Sequence, residues 1–290
     1  MNGSVPDAER ALVFEVTEAL PERSPVLRKF NDLVEIVGGL GSCVVAVSGG
    51  IDSTLLLEVA SRLLGDRTLG VTGESAALPV WDREDARAAG EAAAKTGAQW
   101  RIVSTRELDD PRYVDNPRSR CFFCKSEIYG VLQEIAGRDG FAFVVDGTNA
   151  SDITATDRPG MTAGRNLGVR SPLAEAGMTK SDVRAVARAL GMRSWDRPAS
   201  ACLASRIPFG SRITPERLRR VERAELAIRA RGYRQVRVRD LGAEARVEVD
   251  ARDVGRLRAD RKAIDVAVRS AGFSGWAAAM YGVTSARDDP

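Results

Sequence analysis

Six consecutive residues, Ser48-Gly49-Gly50-Ile51-Asp52-Ser53, combine groups suited to gripping phosphate. Two glycines let the backbone approach an anion with no Cβ in the way. Ser48 and Ser53 add hydroxyl donors. Asp52 repels phosphate directly, so it makes better sense holding Mg2+ that bridges phosphate oxygens. The Walker A pattern G-x-x-x-x-G-K-[ST] and the dinucleotide fingerprint are both absent. A second turn, Gly147-Thr148-Asn149-Ala150-Ser151-Asp152, offers Gly147, Thr148 and Asn149 to a nucleotide and Asp152 to the same cation. Thr72, with Gly73, is a candidate contact for adenosine. Each of these turns also reads as an ordinary loop.

Three cysteines form the other chemical set. Cys121 and Cys124 make a C-x-x-C, and Cys202 lies far downstream in RPASACLASRIPFG. Cys43 opens an apolar run and reads as a core residue. Four readings compete for the other three. A zinc site wants four ligands, and the chain has no histidine, so it would need Cys43. A redox pair lacks a thioredoxin-like context. Three unrelated structural cysteines are the bland reading. The fourth is an iron–sulfur cluster. Such clusters normally take four thiolates; three leave one iron open to carry an extra sulfide.

These residues need a frame. CVVAV at 43–47 is short, β-branched and flanked by glycines, which predicts a fully buried strand. STLLLEVASRLLG predicts the helix that follows. TLGVTG (68–73), QWRIVST (99–105), FAFVVDG (141–147) and a short stretch at 167–173 read as further strands. Helices are predicted over 25–38, 80–97, 125–140 and 179–191, the last with Thr179 as N-cap. Strands alternating with helices give an α/β fold, a doubly wound parallel sheet covered on both faces. The glycine loop then sits between strand and helix, where helix N–H groups hold anions. Near residue 206 the pattern changes. A charged helix, two alternating strands and the helical pattern VGRLRADRKAIDVAVRSAG predict a small α+β domain. The expected division is 1–24 as a polar extension with a short amphipathic helix at best, 25–205 as the nucleotide domain, and 206–290 as the small domain.

The chain has 290 residues and a net charge of +3, so no global field marks a nucleic-acid binder. Four cysteines in such a chain do not suggest a disulfide framework. Residues 1–30 lack a basic start followed by an apolar run. No apolar stretch approaches the ~20 residues that span a bilayer. A cytoplasmic location is expected. With no histidine, acid–base work falls to carboxylates, lysine, tyrosine, substrate or water.

The glycine loop resembles the SGGxDS signature of PP-loop ATP pyrophosphatases, which split ATP to AMP and pyrophosphate. SGGIDS, NPRSRCFFCK, GTNASD, DRPG at 157–160, RSPLAEAGMTKSDVRAVARALGM and RPASACLASRIPFG follow in order. Over roughly residues 25–250 this combination resembles the LarE family, sulfur transferases that build the nickel-pincer cofactor of lactate racemase. The resemblance implies that MgATP adenylylates a carboxylate of pyridinium-3,5-biscarboxylic acid mononucleotide, and that a sulfur nucleophile then displaces AMP to leave a thiocarboxylate. Some members sacrifice one cysteine; others carry three and use a [4Fe-4S] cluster. Cys121, Cys124 and Cys202 match the second type. Cys202, Asp52 and Arg206 are the candidate catalytic residues, Arg206 because it follows the third cysteine closely. The substrate that the resemblance implies needs cationic partners; Arg206 is one candidate, and Arg237 and Arg239, on one face of a predicted strand, are further ones that also read as a solvated strand face. The resemblance implies a homo-oligomer acting on a small-molecule nucleotide, with no nucleic acid and no membrane. The ending GFSGWAAAMYGVTSARDDP matches the family only loosely. A tRNA thiolation enzyme, a non-catalytic ATP-binding iron–sulfur sensor and a synthetase resembling NAD synthetase are the alternatives.

Overall fold

The computed structural model describes residues 5–21, 24–154, 159–198 and 200–282. The chain forms two compact units. One comprises residues 1–74, 81–106 and 121–199; the other comprises 75–80, 107–120 and 200–290.

The first unit is an α/β layer structure around four parallel strands. These are β1 (Cys43–Ala46), β2 (Thr68–Glu74), β3 (Gln99–Ser104) and β4 (Phe143–Val145), in the order β3-β2-β1-β4. Cys43 pairs with Thr68 on one side and Phe143 on the other. The apolar run of β1 serves both faces. Cys43 and Val45 join a cluster with Phe30, Leu33, Leu55 and Leu56. Val44 points into another cluster with Leu69, Val71, Tyr129 and Leu132. A strand buried on both faces needs such a run. From β1 the chain extends the sheet one way through β2 and β3, and the other way through β4. That makes the β1–β4 boundary the switch point, where ligands bind at the carboxyl ends of strands.

Residues 5–19 form a 15-residue helix, longer than the expectation for the N-terminal stretch. Leu12 and Val16 lie four apart, one above the other on a helix, and both are buried in the core with Phe30 and Leu33. Residues 1–4 and 22–23 of that stretch lie outside the described residues.

The predicted strand at 167–173 is also corrected. Only a single bridge forms, between Val145 and Arg170. Pro172 then opens a helical turn, Pro172–Glu175. Proline lacks the N–H that a ladder needs and suits the first position of a helix. Asp157 and Arg158 of the DRPG segment lie outside the described residues, while Pro159 and Gly160 begin the helix Pro159–Asn166.

The second unit holds β5 (Val236–Asp240), β6 (Glu244–Val249) and β7 (Gly275–Met280) in that order. β5 and β6 are antiparallel, with Val238 opposite Val247. β7 runs parallel to β6. The helix Pro215–Arg229 buries Leu218, Val221, Ala224 and Ile228. The helical pattern after β6 divides at Asp260 into Val254–Ala259 and Arg261–Ser270. Asp260 accepts the Tyr233 hydroxyl at 2.8 Å at that break. Sequence reasoning did not anticipate β7, because Trp-Ala-Ala-Ala-Met lacks alternation and β-branched residues. Residues 283–290 of the tail lie outside the described residues. No described helix is long and apolar enough to cross a membrane.

Candidate functional site

At the carboxyl end of β1 the chain turns through Ser48 and Gly49, and Gly50 caps the helix Ile51–Leu64. Gly49 adopts φ 79°, and a Cβ there would lie 2.0 Å from the Asp82 carbonyl oxygen. Only glycine fits. The two serines close the loop on itself. Ser53 Oγ accepts the Ser48 N–H at 3.1 Å and donates to the Gly50 carbonyl at 3.0 Å. Ser48 Oγ lies 3.2 Å from Ser53 Oγ. The result is a preset anion cradle at a helix N-terminus.

The β4 turn meets this cradle. A Cβ on Gly147 would lie 2.6 Å from the Ser53 nitrogen, so the two turns pack backbone to backbone. The Asn149 side-chain amide donates to Asp52 Oδ1 at 3.2 Å, and the Asn149 backbone N–H donates to Asp152 Oδ2 at 3.2 Å. Asn149 therefore stands between the two aspartates that the sequence assigns to a cation. Two carboxylates among oxygen-rich turns form a donor set that Mg2+ accepts.

The sequence reading missed Lys180. Its ammonium is ion-paired with Asp52 Oδ2. Lys180 opens the helix Lys180–Ala189 directly after its N-cap, Thr179, whose capping box with Asp182 fixes the helix start. A helix start is legible locally; an ion pair with a residue in another element is not.

Beneath Thr148 lies a buried polar knot. Asp146 accepts from Thr148 N at 3.1 Å, Thr148 Oγ1 at 2.9 Å, Ser171 Oγ at 2.8 Å and the Tyr129 hydroxyl. Burial pushes the Tyr129 phenol up to about 12. Lys125 lies over the Tyr129 ring at 4.9 Å. Tyr129 beside it, with Asp146, holds the Lys125 ammonium firmly protonated against the effect of burial. A cavity of about 300 Å3 borders this turn, its wall including Thr148, Met161, Arg165 and Arg170.

Thr72 does not present a hydroxyl to a ligand. It is 1 % exposed and accepts the Trp100 indole N–H at 3.1 Å. Trp100 in turn fits only because Gly90 has no Cβ, which would lie 2.3 Å from its ring. The Thr72 side chain thus packs within the sheet, and a contact with adenosine there falls to its backbone.

Cys121 and Cys124 lie in the first turns of the helix Arg120–Asp139, three residues apart and so on one face. Cys121 is exposed and Cys124 half-buried. Gly160 lets the start of the helix Pro159–Asn166 approach this turn: a Cβ there would lie 3.1 Å from Lys125 Cγ and 3.8 Å from Cys121 Cβ. Cys43 is buried in the core, and burial pushes its thiol up to about 12.

Cys202 is half-buried and belongs to the second unit. Its loop is fixed by arginines. Arg206 is 1 % exposed and pairs bidentately with Glu225 at 2.8 and 2.9 Å. Its remaining donors hold the carbonyls of Ala201 and Cys202, the latter at 3.0 Å. Arg206 thus shapes the backbone at Cys202. Arg239 pairs with Glu248 at 3.0 Å and donates to the Ser205 carbonyl at 2.6 Å. Arg237 differs. It makes no ion pair among the described residues and stacks on Tyr281 at 4.5 Å. Burial, then the charges of Arg206 and Arg239, pull its affinity for the proton below the ordinary guanidinium value. An unneutralised cation facing like charges is where an anionic ligand gains most.

Among the described residues, no group of three or more thiols and carboxylates stands ready to hold a metal ion. The three available thiols, without histidine, are nonetheless the donor chemistry of an iron–sulfur cluster.

No family model matches the chain. It is 41% identical over 237 residues to an uncharacterised protein of Synechocystis, covering 80% of this chain and 85% of that one. It is 34% identical over 242 residues to the pyridinium-3,5-bisthiocarboxylic acid mononucleotide synthase of Lactiplantibacillus plantarum, covering 83% and 86%. Identity to one component of the glutamine-hydrolysing GMP synthase of Thermoplasma acidophilum is 30% over 209 residues, covering 67% and 64%.

Proposed function

This chain belongs to the LarE family, and we propose that it is an ATP-dependent sulfur transferase. It acts on pyridinium-3,5-biscarboxylic acid mononucleotide and replaces a carboxylate oxygen with sulfur. The observation that carries the reading is the convergence of Asn149 and Lys180 on Asp52 inside the glycine cradle. That arrangement offers backbone N–H groups, a cation and a carboxylate to one triphosphate.

The chain's own residues divide the work. Backbone N–H groups of Ser48–Ser53 hold phosphate oxygens, and Lys180 neutralises charge on the departing pyrophosphate. Asp52 and Asp152 would hold the Mg2+ that accompanies ATP, which supplies further charge neutralisation. A carboxylate oxygen of the acceptor attacks the α-phosphorus. The bond to the bridging oxygen breaks, and pyrophosphate leaves with the electron pair. The acyl carbon of the resulting mixed anhydride is now open to a sulfur nucleophile. A carbon–sulfur bond forms, the carbon–oxygen bond breaks, and AMP departs.

Sulfur delivery falls to Cys121, Cys124 and Cys202, with Cys43 excluded by its burial. These three would hold a [4Fe-4S] cluster, which when bound supplies sulfide at its one iron without a protein ligand. Arg206 fixes the Cys202 backbone. Arg237, assisted by Arg239, takes the phosphate or a carboxylate of the acceptor. We place the reaction in the cytoplasm, in a homo-oligomer.

The test is pyrophosphate release. Anaerobically reconstituted protein with MgATP should release pyrophosphate only when the biscarboxylate mononucleotide is added, and should carry about four irons. Release with tRNA instead would move the chain to a different acceptor class. Iron binding that survives Cys202→Ala would remove the cluster.

A further inference from the structure

Asn116 lies in the second unit, in the stretch that runs into Cys121. Its backbone is left-handed, φ 57°, the one such non-glycine residue among those described. That conformation is unfavourable for an L-residue, less so for asparagine. Strain of this kind persists only where the surroundings over-determine it. Here they do. Asn116 is fully buried. Its amide nitrogen reaches the carbonyls of Ile207, Pro208 and Ser211 at 3.2, 2.7 and 3.0 Å. Its Oδ1 accepts from Arg120 at 2.9 Å. Its own carbonyl accepts the Gly210 N–H at 2.9 Å, and Ile213 N–H donates to Val114 O at 2.8 Å. Arg120 also stacks on Phe209 at 4.5 Å.

Besides Arg120 and the Tyr113 carbonyl, which accepts the Asn116 N–H at 3.0 Å, its partners lie in the loop that leaves Cys202. One buried amide therefore joins residues 111–120 to the loop that follows the third cysteine, within the second unit. A mere filler at positive φ would be glycine. The three carbonyls explain why the residue is asparagine, since aspartate would oppose them with negative charge and leucine would leave them unmet.

We propose that Asn116 is a positioning residue for sulfur delivery, holding the loop that leaves Cys202 in register with residues 111–120 of the same unit. The inference rests on the reading of the three cysteines given above. Its test compares the full-length wild type with Asn116→Gly, which keeps the backbone conformation, and with Asn116→Asp, which keeps the acceptor for Arg120. Two quantities are measured. In iron-free protein, the rate of Cys202 alkylation by iodoacetamide should rise about tenfold in both variants, while Cys43 stays unreactive. In reconstituted protein, kcat for thiocarboxylate formation should fall about tenfold, with the KM for ATP and the AMP-forming half-reaction within about twofold of wild type. Unchanged Cys202 alkylation overturns the proposal, whatever sulfur transfer does. So does a parallel loss of AMP formation and melting temperature, which marks a general structural role. If the wild type forms no thiocarboxylate, the functional reading fails on its own, and the alkylation rates still decide the role of Asn116.

Discussion

Two loops of this molecule are held in place by opposite means. The phosphate cradle Ser48–Ser53 is fixed from within. The Ser48 and Ser53 hydrogen bonds that close it run between residues at most five apart, and its shape depends on a Cβ that Gly49 lacks. The Cys202 loop is fixed from outside. Glu225 anchors it through Arg206, Arg239 grips the Ser205 carbonyl, and Asn116 holds its far end. The first loop is a steric object and the second an electrostatic one. They should therefore fail differently.

The largest effect should come from the electrostatic loop. Arg206→Ala leaves Glu225 charged and fully buried, which costs about 3–5 kcal/mol when a buried pair loses one partner. A urea midpoint reads this directly. Arg206→Met with Glu225→Leu should recover much of the loss, because both charges go together. A single variant as stable as the wild type would end the contrast between the loops.

Next comes the steric loop. Gly49→Ala meets a backbone cost of about 1–2 kcal/mol and an overlap with the Asp82 carbonyl. We expect AMP formation to fall at least about a hundredfold, equivalent to roughly 2.7 kcal/mol of barrier. Its neighbour sharpens the point. Gly50 has an ordinary φ of −74°, and a Cβ there would have only Ser48 Oγ near it, at 3.5 Å. Gly50→Ala should stay within about 0.5 kcal/mol of wild type in denaturant titration. Equal losses at both glycines would show that the loop is not sterically set.

A smaller effect is expected at Lys180. Lys180→Met removes the cation from Asp52 and should raise the KM for ATP about tenfold, or roughly 1.4 kcal/mol, without unfolding the chain. An unchanged KM would leave the Asp52 pair a purely structural contact.

The extent to which these features were legible follows the same divide. Consecutive residues wrote the cradle, the buried strand β1 and the Thr179 cap, because each depends on neighbours along the chain. A parallel sheet followed as a class from alternation of strands and helices, though alternation alone does not specify the order β3-β2-β1-β4. What sequence missed was long-range. Lys180, Asn116 and the Tyr129–Asp146 knot acquire their roles from partners in other elements. Arg206 stands out in the sequence by its short distance from Cys202, while its buried pairing with Glu225 is not legible there. Thr72 stands at a strand end as expected, but the Trp100 indole takes its hydroxyl. β7 was hidden because its alanines carry no pattern, and only pairing with β6 makes it a strand.

The smallest expected effect is at Cys43. Its thiol binds the proton more tightly folded, at about 12, than its ordinary value of 9.0. Stability from this group is intact below about pH 9 and erodes as pH climbs towards about 12, since the unfolded chain ionises first. Alkylation at pH 8 should therefore modify Cys121 and spare Cys43. Rapid labelling of Cys43 would mean that the core opens readily.

The central claim is that one chain both activates a carboxylate with ATP and delivers sulfur to it. Mass spectrometry of the mononucleotide after anaerobic incubation with MgATP, sulfide and reconstituted protein tests it most directly. The expected product has one oxygen replaced by one sulfur, is formed together with AMP and pyrophosphate, and is lost in Cys202→Ala. Recovery of the unchanged biscarboxylate, or of its adenylate without any sulfur product, would contradict it.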